Sequence, residues 1–288
     1  MHILVTGANG QLGREIQQAT KVSKLTYHFA ASSELNICDT DAVATYCREH
    51  CIGIIINCAA YTNVDGAEKE VNLAEEVNHN AVNGLAKIAL NQDITLIHIS
   101  TDYVFGGTKN RPICEEDFTE PLGVYGATKR RGEEAILESG CRYLIFRTAW
   151  LYSSVGKNFF NTMLHLTATK KDIKVVFDQV GTPTYAADLA EFLVHIIDHN
   201  TYKENNGIYH YTNEGVCSWY DFAWAINELS GHRCEVKPCY SSEFPSVVTR
   251  PAYSVLDKTK IKNTFKITIP YWRESLVKCI NKINNERV

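Results

Sequence analysis

Thr6-Gly7-Ala8-Asn9-Gly10-Gln11-Leu12-Gly13 joins an apolar run, His2–Thr6, to an amphipathic stretch over 11–20 that carries Leu12, Ile16 and Ala19 on one face. Glycines at this three-residue spacing let the backbone turn sharply, approach a pyrophosphate closely and pack the helix against the strand. The helix N-terminus then presents its unpaired N–H groups to the anion. A glycine pattern alone is weak, and a Gly-rich turn that binds nothing is the competing reading. Here a strand precedes it and a helix follows, at the head of a strand–helix series, which is the context a dinucleotide site requires. Gly7, Gly10, Gln11, Leu12 and Gly13 are therefore candidate cofactor residues.

Downstream, β-branched runs at 25–30, 53–58, 94–100 and 143–148 alternate with helical patterns such as 41–50 and 80–91. This rhythm predicts an α/β fold of Rossmann type, a doubly wound parallel sheet covered on both faces. Several strands are almost wholly apolar, as burial on both sides demands. After about Trp150 the rhythm loosens. The pattern predicts helices over 158–169, 186–199 and Trp219–Leu229, strands over 173–177 and 207–211, and a closing helix from about Tyr271. Irregular segments are expected near Pro238, Pro245 and Pro251. The predicted organisation is a dinucleotide-binding unit of residues 1–152 with 172–212, and a smaller, mixed α/β substrate-binding unit of residues 153–171 with 213–288. Their junction is expected to form a cleft.

With 45% hydrophobic and 22% charged residues in 288, the chain has a globular composition. Its net charge of −4 and short basic clusters without interleaved aromatics point away from nucleic acid and anionic membranes. No apolar run approaches the ~20 residues of a membrane span. The ten cysteines form no C-x-x-C pair, and Cys58 and Cys141 fall in apolar stretches. Met1 leads straight into the first run, leaving no room for a targeting peptide, so a reducing cytoplasmic setting is expected.

Tyr125-Gly126-Ala127-Thr128-Lys129 places a phenol and an ammonium one helical turn apart, on one face. A free tyrosine titrates near ~10, and a nearby cation favours its phenolate and lowers that value. The spacing is common by chance. However, the fourth strand runs into Ser100-Thr101-Asp102-Tyr103, and ligands of open α/β sheets bind outside the strands' carboxyl ends. The Thr101 hydroxyl would there reach a substrate carbonyl. The third strand ends in Asn57-Cys58-Ala59-Ala60-Tyr61-Thr62, whose small residues make room for a ribose and nicotinamide. Asn57 is expected to stabilise the sheet edge, and Asp65 and Glu68 read as helix N-terminal charges. The second strand closes on Phe29-Ala30-Ala31-Ser32-Ser33 with no carboxylate before Glu34. An acidic residue there would bind the ribose 2′-hydroxyl and repel a 2′-phosphate. Ser32, Ser33 and Arg14 could instead accept that phosphate, so NADPH is expected, with NADH tolerated. Asp39 reads equally as an adenine-side residue or a helix N-cap.

With the glycine turn, Thr101, Tyr125 and Lys129 resemble the short-chain dehydrogenase/reductase triad in its chain order. Within that superfamily the whole chain resembles the dTDP-4-dehydrorhamnose reductase family. The further segments that carry the likeness are Ala59-Ala60-Tyr61-Thr62-Asn63-Val64-Asp65, Thr101-Asp102-Tyr103-Val104-Phe105, Phe146-Arg147-Thr148-Ala149-Trp150-Leu151-Tyr152, Asn158-Phe159, Gln179-Val180-Gly181-Thr182-Pro183-Thr184 and Arg250-Pro251. The resemblance implies that Gly10, Gln11 and Leu12 hold the pyrophosphate, Asn36 and Ile37 the adenine side, and Ala60, Tyr61 and Thr62 the nicotinamide side. It implies that Thr101 and Asp102 contact a hexose and that Trp150 packs on it. It also implies a reaction: hydride passes to C4 of a nucleotide-linked 4-keto sugar, Tyr125 protonates the oxygen, and Lys129 tunes Tyr125 and binds the ribose. The implied product is dTDP-L-rhamnose, a cell-envelope precursor. Gly106 stands where the family often has Asp, and the acidic residue common near Ala31 is absent. Some members bind magnesium at a dimer contact, which here would draw on surface carboxylates such as Glu15 in a homodimer.

Arg250, before Pro251, reads either as a diphosphate ligand or as a structural ion pair. Trp219, Tyr220, Phe222 and Trp224 read chiefly as core packing. His195 and His199 lie one turn apart without a third ligand, so no metal site is expected there. A dehydratase would need a second carboxylate where Tyr103 stands, and a 4-epimerase would favour an acidic end to the second strand. A non-catalytic binding subunit, such as the related regulatory subunit of methionine adenosyltransferase, would not need the intact triad.

Overall fold

Alternation along the first strand explains why one short apolar run serves two layers. In β1 (His2–Thr6), Ile3 and Val5 point into one buried cluster with Ile16, Leu189 and Leu193. Leu4 points the other way, among Val43, Val82 and Leu85. Side chains of a strand alternate between its faces, so an all-apolar strand implies helices on both. The same division holds along β3 (Ile52–Asn57), where Ile54 and Ile56 join the first cluster and Ile52 and Ile55 the second. The computed structural model describes residues 1–286 apart from Pro245, so that part of the expected irregular segment lies outside the described residues.

β2 spans Thr26–Ala30, β4 Thr95–Thr101 and β5 Arg142–Thr148, and each starts and ends close to its predicted bounds. The sheet order is Gly207–His210, β5, β4, β3, β1, β2, and every neighbouring pair is parallel. The chain moves outward from β1 to β2, then crosses back to β3 on the other side. The crevice at such a reversal, outside the carboxyl ends, is where open α/β sheets take their ligands.

A third cluster, with Phe160, Val175, Phe222, Ile226 and Leu276, lies beside the sheet. Here the structure differs from the expected division. Strand Asp172–Val176, grouped by its sequence position with the dinucleotide unit, pairs in parallel with Glu235–Cys239, and Val175 joins the third cluster. The return to the first core comes later, at helix Ala186–Asp198. A helix not foreseen, Thr259–Phe265, also sends Ile261 and Phe265 back into the first core. Among the described residues no helix is long and apolar enough to cross a membrane.

Candidate active site

A cleft of about 960 Å³ opens at the carboxyl ends of the parallel strands, and the candidate cofactor, catalytic and substrate residues line it, Arg14 and Asp39 excepted. At the cofactor end, Gly7 has φ +65°, and a Cβ there would stand 2.7 Å from the Ala59 backbone nitrogen. The turn therefore lies against the end of β3 in a conformation that favours glycine. A Cβ on Gly13 would come within 2.6 Å of the Gly7 carbonyl, so the helix start is equally tight. α1 (Gln11–Ala19) begins at Gly10 with no side-chain cap. Its first amides thus remain available to an anion, and this cradle fits a dinucleotide pyrophosphate. The Gln11 side chain accepts from Asn158 Nδ2 at 2.8 Å, tying the 153–158 loop to the turn.

Ala31, Ser32, Ser33, Asn36 and Ile37 form the wall beyond β2. Glu34 folds back to accept the Ala31 N–H at 2.8 Å. Arg14 Nε donates to the Asn9 carbonyl at 3.0 Å, so in this structure it braces the turn. Asp39 caps the helix Thr40–Glu49, accepting from Ala42 N at 3.0 Å, which settles its two readings in favour of the cap.

The helix Val124–Ser139 brings Tyr125, Lys129 and Glu133 along one face. Lys129 is 1% exposed, donates from Nζ to the Ile99 carbonyl at 2.6 Å, and lies 3.1 Å from His98 Nε2. Burial pushes the Tyr125 phenol up to about 12; a hydrogen bond with Thr101 pulls it back and the Asp102 charge pushes it further. Lys129 is turned towards the strand and is not among the groups that set the phenol, contrary to the sequence expectation. A phenol that stays protonated at neutral pH suits a proton donor.

Thr101 Oγ1 accepts from Tyr103 N at 3.1 Å and donates to Asp102 Oδ1 at 3.1 Å. Asp102 is 2% exposed and its Oδ2 has no partner. Burial raises its carboxyl from 3.8 to about 6, with hydrogen bonds from Ser254 and Thr101 opposing. A carboxyl raised in the folded state opposes folding once ionised, and this cost is absent below the unfolded value and complete above the folded one. Asp102→Asn is therefore expected to raise stability by up to about 2 kcal/mol at pH 7–8. The gain should shrink through pH 6 and vanish below pH 4, as read by urea unfolding across that range.

Trp150 adopts φ +49°, a strained conformation for a tryptophan. Its ring stacks on Trp219 with centroids 3.6 Å apart. Trp219 packs against the buried cluster with Tyr220 and the fully buried Phe222, as expected, and Trp219 and Phe222 also line the cleft, while Trp224 is exposed. Arg250 meets both of its readings. It pairs with Asp65 at 3.6 Å, yet it lines the cleft with a buried Nε that has no partner. Sequence reasoning took Glu68 for a helix N-terminal charge without its helix: it ends the short local helix Val64–Ala67, and its Oε1 accepts the Val124 N–H at 2.7 Å. This supplies a cap to the helix Val124–Ser139, because Gly123 has none to offer. No local pattern links positions 68 and 124.

Glu15 is not a surface carboxylate. It is 3% exposed and paired with Lys282 Nζ at 2.7 Å, so it does not fit the magnesium role the resemblance suggested. His199 Nδ1 lies 2.9 Å from the His195 carbonyl oxygen, and among the described residues no three metal-ligating side chains converge.

A parallel sheet with a glycine turn at its switch point, and a Tyr–Lys helix facing the threonine that ends the fourth strand, define the short-chain dehydrogenase/reductase class. The family described as RmlD substrate binding domain matches residues 1–285, and the chain belongs to that family. It is 39% identical over 284 residues to dTDP-4-dehydrorhamnose reductase of Aggregatibacter actinomycetemcomitans, covering 95% of this chain and 96% of the relative. A dTDP-4-dehydrorhamnose reductase from Clostridium acetobutylicum superposes with a TM-score of 0.94 at 42% identity, covering 99% of this chain and all of that one (100%). The Bacillus anthracis dTDP-4-dehydrorhamnose reductase in complex with NADP gives a TM-score of 0.93 at 35% identity, covering 98% and 99% of the two chains.

Proposed function

We propose that this chain reduces the C4 ketone of dTDP-4-dehydro-L-rhamnose to dTDP-L-rhamnose with NADPH, in the cytoplasm, for cell-envelope polysaccharide synthesis. What carries the reading is the convergence, in one cleft, of an anion-binding turn, a buried Tyr–Lys pair and an aromatic wall with an unsatisfied arginine. The name and coverage of the relatives support the substrate. The absence of a carboxylate among Ala31, Ser32 and Ser33 supports NADPH, with NADH as the weaker donor.

The bound nicotinamide supplies the hydride. Gly7, Gly10, Gln11, Leu12 and Gly13 hold the diphosphate at the helix start, Asn36 and Ile37 flank the adenine, and Ala60, Tyr61 and Thr62 flank the nicotinamide. Tyr125 donates its phenolic proton to the C4 oxygen as charge develops there, and Thr101 holds the same oxygen. Lys129 returns a proton to Tyr125. Trp150 and Asp102 orient the hexose, and Arg250 exchanges Asp65 for the sugar's diphosphate.

The purified chain is expected to oxidise NADPH only when dTDP-4-dehydro-L-rhamnose is present, with dTDP-L-rhamnose formed in equal amount. NADPH should exceed NADH in kcat/KM. Turnover confined to a different 4-keto sugar would replace the substrate. Cofactor binding without turnover of any such sugar would favour the non-catalytic binding subunit.

A further inference from the structure

Behind Lys129 runs a buried polar chain that the reduction as described does not use. His98, Asn57 and Thr6 are each fully buried, His98 midway along β4 and Asn57 and Thr6 at the carboxyl ends of β3 and β1. Asn57 is therefore not at a sheet edge, as the sequence suggested, but in the interior of the sheet. Thr6 Oγ1 donates to Asn57 Oδ1 at 2.6 Å, Asn57 Nδ2 lies 3.1 Å from His98 Nδ1, and His98 Nε2 lies 3.1 Å from Lys129 Nζ.

The distances give the chain a direction. A 2.6 Å contact suits a hydroxyl donating to a carbonyl oxygen and is short for an amide N–H donating to a hydroxyl. Oδ1 of Asn57 then faces Thr6 and its NH₂ faces His98, so Nδ1 of the ring is the acceptor. Burial and the neighbouring Lys129 hold His98 well below its ordinary pKa, so the ring is neutral. Its one proton therefore lies on Nε2, aimed at Lys129.

We propose that His98 is a positioning residue for the proton relay, held by Thr6 and Asn57 as the Nε2–H tautomer so that it donates to Lys129 Nζ and favours the amine over the ammonium. Lys129 thereby acts as a carrier that releases its proton readily. The proton count closes: Tyr125 gives one proton to the C4 alkoxide, Lys129, whose Nζ faces the Ile99 carbonyl and His98, passes one to the Tyr125 phenolate through water in the cleft, and solvent reprotonates the amine to start the next cycle. In the amine state the Thr6 hydroxyl, the Asn57 N–H that faces the ring and the His98 Nε2–H each meet an acceptor, and Lys129 still donates to the Ile99 carbonyl. In the ammonium state two N–H groups face one another. Burial already lowers Lys129 to about 8, while the charges of Glu133 on its own helix and Cys58 at the end of β3 raise it.

The proposal rests on the reading of Tyr125 and Lys129 as the proton-handling pair, but its first test needs no substrate. Imidazole ¹⁵N spectra of the whole chain, with His98 identified by the signal lost in His98→Gln, should show it as a neutral Nε2–H tautomer. An Nδ1–H tautomer would overturn the proposal. Titration of ¹³Cε-labelled lysines, with Lys129 assigned through Lys129→Arg, should show its midpoint rising by about one pH unit in His98→Gln, where the amide oxygen can accept from the ammonium. A midpoint that stays or falls would also overturn it. In the wild type and His98→Gln, the alkaline limb of kcat should follow the Lys129 midpoint with NADPH affinity unchanged. If kcat and its pH profile are unchanged while only the melting temperature drops, the role is structural and the proposal fails. A wild type that is inactive on every 4-keto sugar would remove the proposed function and leave the spectroscopic result standing.

Discussion

Tyr125→Phe is expected to lower kcat by about 10³-fold, the scale of a lost general acid, while KM for both ligands changes little. The substitution removes one oxygen. The ring keeps its edge contact with Tyr103, 5.5 Å away between centroids, so the cleft wall stays in place. Thr101 still offers a hydrogen bond to the carbonyl, which leaves part of the electrostatic stabilisation intact. Because the phenol is held up at about 12, its own ionisation does not limit the enzyme near neutrality. The alkaline limit is expected to come from Lys129, near 8. Single-turnover oxidation of NADPH separates chemistry from product release and reads the effect directly. A loss under about tenfold would move the proton donor elsewhere. Asp102 is the next candidate, since its buried Oδ2 has no partner in this cleft.

What could be read from the sequence was local. The glycine turn and the Tyr125/Lys129 spacing are each encoded within a few residues, and a strand or helix period carries them into position without reference to the rest of the chain. Thr101 could be placed because a strand's carboxyl end is a recurrent ligand position. The parts that were missed depend on pairs remote in sequence. Glu68 caps a helix that begins at Val124, and Trp219 finds Trp150 across the cleft. Strand Asp172–Val176 follows the strand–helix rhythm of the sheet but hydrogen-bonds to Glu235–Cys239, and no periodicity distinguishes those partners. Asn57 and His98 lie on strands that are otherwise largely apolar, and neither strand alone shows what its polar side chain meets. Parallel pairing puts the two opposite one another, and that register makes them one network. Glu15 shows the reverse failure: a carboxylate on an amphipathic helix reads as surface, yet Lys282 covers it.

Arg147→Met is expected to destabilise the chain by about 3–5 kcal/mol, because it leaves a buried carboxylate whose remaining ion pair, to Arg130, is a long 3.7 Å. Arg147 on β5 and Glu133 on the helix Val124–Ser139 are 2% and 0% exposed, and their side chains meet in two parallel contacts of 2.9 and 2.7 Å. Ser100 donates to Glu133 at 2.6 Å, Arg147 also reaches the Glu115 carbonyl, and its guanidinium lies 5.0 Å from the Phe105 ring centroid. Glu133 follows Tyr125 and Lys129 by successive turns on the same helix face. The pair therefore clamps that face onto β4 and β5, next to Ser100 and Thr101. Stability alone does not explain such a pair, since apolar residues of similar volume often pack as well. Arg147→Met with Glu133→Leu should then recover most of the loss, giving a large coupling energy in a double-mutant cycle measured by urea unfolding. If the two changes simply add, the pair is not a unit. Glu133→Gln tests the electrical part, because the Glu133 charge raises the Lys129 pKa. Removing it should move the alkaline limb of kcat to lower pH, opposite to the shift expected for His98→Gln. Two substitutions on either side of one lysine, displacing one limb in opposite directions, would identify Lys129 as the group that sets it.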